Sequence, residues 1–367
     1  VNPWCRHFQK GDWQDHVCDA KYAIIQDYPT KKDIENGIPF SGFVGYDLEK
    51  WQKEAGILRS ECFFTSFSSD LYMSLRSTLP LLSVVVPTGD NTLRGLFGSK
   101  MSVSDWRGSI LSWNGIWCIP TLHPSVTQRQ KILTKLCVAD WKRIAYVGKW
   151  GHTPMIRKHI VDPSMEEMII WKESAMDYFE NSETQLPPRV LSVDVENDIK
   201  TKKLLCVGFS FDPKVSLTIS TVQSDYDDEG TFQAAQQVIK DILSFPWPVV
   251  GQNYMTDVWK LVHWAPEIKH QLIDNYVWDL IEMDHALDPN DGGDTSAGAE
   301  DEMDVGLKIG MRDLGTLASL YTKEPYYKHE GGSWDQEKRW IYNGKDACVQ
   351  REIFDVLWWK LYERGLV

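Results

Sequence analysis

Residues 189–211 read RVLSVDVENDIKTKKLLCVGFSF, two apolar runs joined by a short polar turn. The first run alternates: Leu191, Val193 and Val195 fall on one side of a strand, Ser192, Asp194 and Glu196 on the other. One face is therefore made for a core, and the opposite face carries two carboxylates two residues apart. Like charges at that spacing repel, and burying a carboxylate is costly without a partner. Asp194 and Glu196 thus pose a question about what positive charge holds them together.

The rest of the chain is read outward from this strand. LLCVGFSF (204–211) and VSLTIST (215–221) continue as strands, followed by the patterned helix GTFQAAQQVIKDIL (230–243) and the strand WPVVGQN (247–253). A helix is expected from Thr256, and the end of the chain, WDQEKRWIYNGKDACVQREIFDVLWWKLYERG, reads as one or two helices. DPNDGGDTSAGAEDEMD (288–304) reads as a surface loop. Upstream, short apolar runs (YAIIQ, CFFTSF, LLSVVVP, GIWCIPTL) alternate with amphipathic stretches such as DLEKWQKEAGI. That alternation implies an α/β layer with a largely parallel sheet. MEEMIIWKESAMDYFEN (165–181) reads as a helix, and SETQLPPR (182–189) as a polar linker with a boundary near 182–188. The expected organisation is two α/β domains: residues 1–160, a helix and linker over 161–188, and residues 189–367.

The 367 residues are enough for two domains. A formal net charge of -13 argues against tail-driven or histone-like binding of polyanions, leaving local basic patches or metal ions as routes to nucleic acid. Basic residues between Arg129 and Lys158 are candidates for a phosphate track, or for an ordinary solvated face. Seven scattered cysteines without a C-x-x-C pair imply a reducing compartment rather than a disulfide framework. No run is long and apolar enough to span a membrane, and the expected location is the cytoplasm. The chain opens at Val1 rather than Met, which reads as a trimmed or processed piece.

Two further acids sit where chemistry would want them. GQNYMTDVWKL places Asp257 in the first turn of a helix after a strand, and YNGKDACV puts Tyr342 and Asp346 four apart on one helix face. Each piece alone has an ordinary reading: a solvated strand edge, a helix-dipole carboxylate, a helix-face pair. Together, four carboxylates and a phenol suit hard dications. Two Mg²⁺ or Mn²⁺ ions about 4 Å apart bind both the attacking and the leaving oxygen of a phosphodiester. Tyr342 is then placed to aim the attacking water.

DVEND, GQNYMTD and YNGKDACVQREI resemble the three motifs of DEDD-type 3′–5′ exonucleases of the tyrosine-bearing subclass, more closely the proofreading domain of family A, phage- or bacterial-type DNA polymerases. MRDLGTLASLYTKEPYYK is similar to the connecting segment of phage-type members. The resemblance covers about residues 189–367. It implies a ribonuclease H-like fold with a mixed sheet flanked by helices. It also implies Asp194, Glu196, Asp257 and Asp346 as metal ligands, Tyr342 as the residue orienting water, and Asn253 as a contact to the substrate strand (a helix-capping amide being the alternative). It further implies DNA with single-stranded or frayed 3′ ends as substrate, and a polymerase domain in cis after Val367 or in trans as partner.

IIQDYPTKKDIENGIPFSGFVGYDLEKWQKEAGI, VVVPTGDNTLRGLFG, DWRG and TLHPSV resemble, in order, family 4-type uracil-DNA glycosylases. This likeness spans about residues 22–130 and implies a three-layer α/β/α sandwich. Asp27 matches the acid that positions water, Phe40 the aromatic that stacks a flipped base, and His123 the histidine that stabilises the leaving anion. The family's glycine-rich first motif reads QDYPT here, and its Thr-Asn reads Thr65-Ser66. Cys5 and Cys18 do not form the family's cluster-binding set, so no iron–sulfur cluster is expected. Three functions follow: a proofreading exonuclease, an active uracil-DNA glycosylase fused to one, or an exonuclease with a catalytically silent DNA-binding module.

Overall fold

The computed structural model describes residues 19–36, 39–67, 75, 79–98, 100–180, 186–289, 312–332 and 335–367. Among these, the chain forms two α/β units, each built on a mixed sheet. The first holds residues up to 154 together with Lys323–Tyr326; the second holds 155–289, 312–322 and Tyr327–Val367. The acidic stretch 290–304 and residues 181–185 of the expected linker lie outside the described residues, as do Cys5 and Cys18.

In the first unit, strands β1 (Tyr22–Gln26), β2 (Cys62–Ser66), β3 (Val84–Pro87), β4 (Leu111–Trp113) and β5 (Ile116–Cys118) form a sheet ordered β2-β1-β3-β5-β4. β1 pairs in parallel with β2 and β3, β3 runs parallel to β5, and only β4 is antiparallel. Every residue of β1 is buried, so the sheet is covered on both faces there, as a central parallel strand requires. The helix Gly42–Glu54 packs against Thr134–Trp150.

The second unit has a six-stranded sheet. Its strands are β6 (Lys158–Ile160), β7 (Leu191–Asn197), β8 (Leu204–Asp212), β9 (Val215–Ser220), β10 (Val249–Gly251) and β11 (Tyr276–Asp279), ordered β11-β10-β7-β8-β9-β6. β7, β8 and β9 form an antiparallel meander, while β10 and β11 extend it in parallel from β7. β7 behaves as its alternation demands. Leu191, Val193 and Val195 enter one core with Ile239, Val258 and Leu261 of the flanking helices. The even-numbered residues face a single long helix, Gln336–Glu363, which lies across β7, β8 and β9.

The boundary differs from the expected one. β6 pairs in parallel with β9, and the helix Met165–Glu180 buries Met168, Trp171 and Ala175 in the core under β7. The second unit thus starts at Met155, and 161–180 is part of it rather than a link to it. β6 was illegible because its three residues, Lys-His-Ile, carry no apolar alternation; its strand state is imposed by β9.

Two glycines let the long helix come close to the sheet. Gly208 on β8 sits opposite Asp194 of β7, and a Cβ there would lie 2.4 Å from the Oδ1 of Asn343. A Cβ on Gly344 would lie 2.5 Å from the Oγ of Ser216 on β9. Overpacking of this kind shifts backbone and rotamers. Gly208→Ala is therefore expected to lower the unfolding free energy by about 1–3 kcal/mol, read as a lower urea midpoint with unchanged slope. An unchanged midpoint would show that the helix has slack over β8.

Candidate functional site

The acids of β7 meet the long helix where the two glycines allow it. One oxygen each from Asp194, Glu196 and Asp346 lies within 4.8 Å of the others. Oxygens sharing an octahedral Mg²⁺ are about 3–4.2 Å apart, a spread compatible with that bound. All donors are carboxylate oxygens, which suits a hard dication rather than zinc or copper. The residues present therefore fit such an ion.

Asp194 is aimed by two amides. Asn343 Nδ2 donates to its Oδ2 at 2.7 Å, and Gln350 Nε2 donates to its Oδ1 at 2.9 Å. Gln350 is itself held by Ser192 Oγ at 3.2 Å. Asn343, Asp346 and Gln350 fall three and four residues apart, on one face of the helix. Asp346 receives the Tyr327 hydroxyl at 2.6 Å and the Lys328 ammonium at 2.8 and 2.6 Å, one bond to each carboxylate oxygen. The same ammonium donates to the Tyr342 hydroxyl oxygen at 3.0 Å.

Asp257 stands beside this triplet rather than in it. It lies in the first turn of the helix Tyr254–Trp264, as expected, and Lys260 one turn on donates to it at 2.8 Å. The helix begins two residues earlier than predicted because Asp279 caps it. Asp279 accepts from the backbone N–H groups of Asn253 and Tyr254, from the Tyr276 hydroxyl, and from the N–H of Ile281 at the next helix. Asn253 itself is left-handed (φ 52°), exposed, and makes no side-chain cap bond. The capping alternative for its amide is thus taken by Asp279 instead.

Electrostatically the site is under load. Burial, then the charges of Asp346, Asp257 and Glu196, push the Asp194 carboxyl well up, against the pull of Lys328. Burial and Asp346 raise Glu196 to about 7. Burial raises Asp257 to about 6, although Lys260 opposes it. Burial and the neighbouring carboxylates likewise push the Tyr342 phenol upward, so it stays protonated at neutral pH.

The first unit brings its three candidates near one another, each already bonded. Asp27 accepts from Asn91 N, Thr92 N and Thr92 Oγ1 at 3.0, 2.7 and 2.8 Å, at the start of the helix Asp90–Phe97. Phe40 is buried at 1% exposure and stacks on His123, ring centroids 5.4 Å apart and planes 27° apart. His123 Nδ1 accepts from Ser125 N at 3.2 Å, which leaves the proton on Nε2, facing Gln26 Oε1 at 3.4 Å. Burial lowers His123 to about 4, so the ring is neutral. Gln26, unmarked in the sequence reading, also donates to Asp33 and Ser66. Of the basic residues considered for phosphate contact, Lys142 pairs with Glu54 at 2.9 Å and Arg157 with Glu352 at 2.5 Å. The described cysteines are buried, and no described helix is long and apolar enough to cross a membrane.

Sequence reasoning placed the acids and Tyr342 but missed Lys328, Lys260, Asn343, Gln350 and Asp279. Gln350 was findable, four residues beyond Asp346; Lys328 carries no periodic signal because it comes from a turn.

The raised carboxyls fix the sign of a pH effect. Folded Glu196 keeps its proton to about 7, whereas the unfolded chain releases it near 4.5. Between those values the folded state binds more protons, so this group's contribution to stability declines as pH rises. In chelator, Glu196→Gln is expected to gain about 1–3 kcal/mol over the parent between pH 5 and pH 8, by urea unfolding at each pH. A difference that stays flat would mean that Glu196 is not under this strain.

No family model matches the chain.

Proposed function

We propose that the second unit is a divalent-metal-dependent 3′–5′ DNA exonuclease, the proofreading portion of a replicative family A-type polymerase or a partner to one. The observation that carries the reading is the convergence of Asp194, Glu196 and Asp346 within 4.8 Å, one helical turn from Tyr342. Asp194, Glu196 and Asp346, with Asp257 beside them, would hold Mg²⁺ or Mn²⁺. Bound there, such ions neutralise the phosphodiester and make a bound water more acidic.

The chain's own residues divide the remaining work. Asn343 and Gln350 fix the Asp194 carboxylate so that both oxygens have defined directions. Tyr342 stands one helical turn from Asp346, and its phenol O–H would donate to a water or a phosphate oxygen once a metal ion has claimed Asp346. Being protonated, it orients the nucleophile rather than deprotonating it. Asn253 is exposed at the N-terminus of the helix carrying Asp257 and makes no side-chain cap bond, and its amide would contact a terminal nucleotide. Frayed or mismatched ends are favoured substrates, because the last bases must leave the duplex to reach buried acids.

In the first unit the bonds favour a structural or DNA-contacting role over base excision. The Asp27 carboxylate caps a helix with three donors, and Phe40 is already stacked on His123. A uracil-containing oligonucleotide incubated with the protein in chelator is expected to release no free uracil. Release that disappears in Asp27→Asn or His123→Ala would reverse this assignment.

For the nuclease, 5′-labelled single-stranded DNA with Mg²⁺ is expected to give a descending ladder of products, abolished by EDTA and in Asp194→Ala or Asp257→Ala. Tyr342→Phe is expected to slow the ladder by about 100-fold without loss of fold. Degradation that survives EDTA, or that is unaltered in Asp194→Ala, would end this reading.

A further inference from the structure

Lys328 is the group at the site that the proposed chemistry does not need. We propose that it is a built-in counter-ion, which occupies Asp346 while no divalent cation is bound and leaves it when one binds. The inference rests on reading the acid cluster as a metal site and goes beyond it by assigning the cation that site must displace.

The geometry is that of an occupied cation site. An ammonium has three hydrogens to give. Lys328 has three acceptors: Asp346 Oδ1 at 2.8 Å, Asp346 Oδ2 at 2.6 Å and the Tyr342 hydroxyl at 3.0 Å. Its Nζ also lies 4.9 Å from the Tyr342 ring centroid and 5.1 Å from that of Tyr327, within cation–π range. Asp346 is the acid of the triplet that comes from the helix rather than from β7. Lys328 engages both of its oxygens and Tyr327 also bonds Oδ1, so a metal ion ligated by Asp346 through Oδ2 would sit within a few ångströms of the ammonium. Two cations so close in a half-buried site repel strongly. Pairing with Lys328 and ligation of a metal ion by Asp346 therefore compete through charge repulsion.

Departure is sterically available. Lys328 opens the short 3₁₀ turn Lys328–Gly332, its side chain is 22% exposed, and its stem is a flexible four-carbon chain. The turn itself has a separate tie to the long helix, through Lys345 to Glu330 at 3.0 Å, so it need not unfold when Lys328 swings out. The device keeps the acids tolerable in a metal-free chain and sets a threshold concentration for metal.

A purely structural ion pair and a displaceable counter-ion predict opposite signs. Losing the former loosens the site and weakens metal binding; losing the latter removes a competitor. Isothermal titration of the full chain with Mn²⁺ alone is expected to show about tenfold tighter binding by Lys328→Met than by the parent, with Lys328→Arg near the parent. In chelator, Lys328→Met should unfold at a lower temperature. Equal or weaker Mn²⁺ binding by Lys328→Met overturns the proposal. Should that variant not fold, amine labelling of the unmodified chain decides. Lys328 is expected to label faster with Mn²⁺ than in chelator, relative to Lys172, and an unchanged ratio overturns it. A parent chain that takes up no Mn²⁺ sinks the metal-site reading along with the counter-ion, a result distinct from a parent that binds and a variant that binds no better.

Discussion

Mutual repulsion among Asp194, Glu196, Asp257 and Asp346 is the constraint that the second unit is arranged around. Bringing such groups together out of water lowers stability unless charge or hydrogen bonds compensate. The upward push on the Asp194, Glu196 and Asp257 carboxyls is the direct expression of that cost. The fold offsets it in two ways. Neutral amides from Asn343 and Gln350 bond Asp194, and the ammonium groups of Lys328 and Lys260 bond Asp346 and Asp257. Neither device adds apolar area, so the stability that tolerates the cluster comes from elsewhere. It comes from the core on the opposite face of β7, where Leu191, Val193 and Val195 are fully enclosed.

The same strand therefore holds both halves of the arrangement, and the period of two separates them. A slip of one residue in the pairing of β7 with β8 would send the acids into the apolar core and Val193 toward the helix. Register is thus as strongly specified as any contact in the site. Gly208 adds to it: only that position of β8 stands opposite Asp194, and only a residue without a side chain leaves room there for Asn343. On the other flank, Asp279 ties the starts of two helices to the end of β11 and so fixes where Asp257 projects.

What was legible in the sequence follows from what is local. The alternation of 191–196 gave β7 and its two faces, the run 204–211 gave β8, and the spacing of Tyr342 and Asp346 placed both on one helix face. β6 and β11 were not legible: Lys158–Ile160 and Tyr276–Asp279 are short, and each is a strand because a neighbour supplies its hydrogen bonds. The positive and amide partners were hidden for a similar reason, apart from the helix position of Gln350, four residues beyond Asp346. Lys328 reaches Asp346 across 18 residues of sequence, and Asn343 and Gln350 reach Asp194 across 149 and 156. Such pairings depend on how the helix lies over the sheet, and no local period encodes that.

The two units treat acids differently, and the contrast shows where a further cation could be held. In the first, Asp27 is answered by two backbone N–H groups and a hydroxyl, and the buried Asp33 by the N–H groups of Thr30 and Ser41 and the amide of Gln26. Helix starts and turns supply these donors, so each acid is settled within its own unit. In the second, four carboxylates face two bonded ammonium groups, which leaves two negative charges uncompensated when all four acids are ionised. Two charges is what one divalent cation carries. If Lys328 departs as that cation arrives, one negative charge is again left over, which favours a second cation or the close approach of a cationic side chain. The surplus is a property of residue placement rather than of any single motif, and it distinguishes acids that could take up a metal ion from acids that the fold has already satisfied.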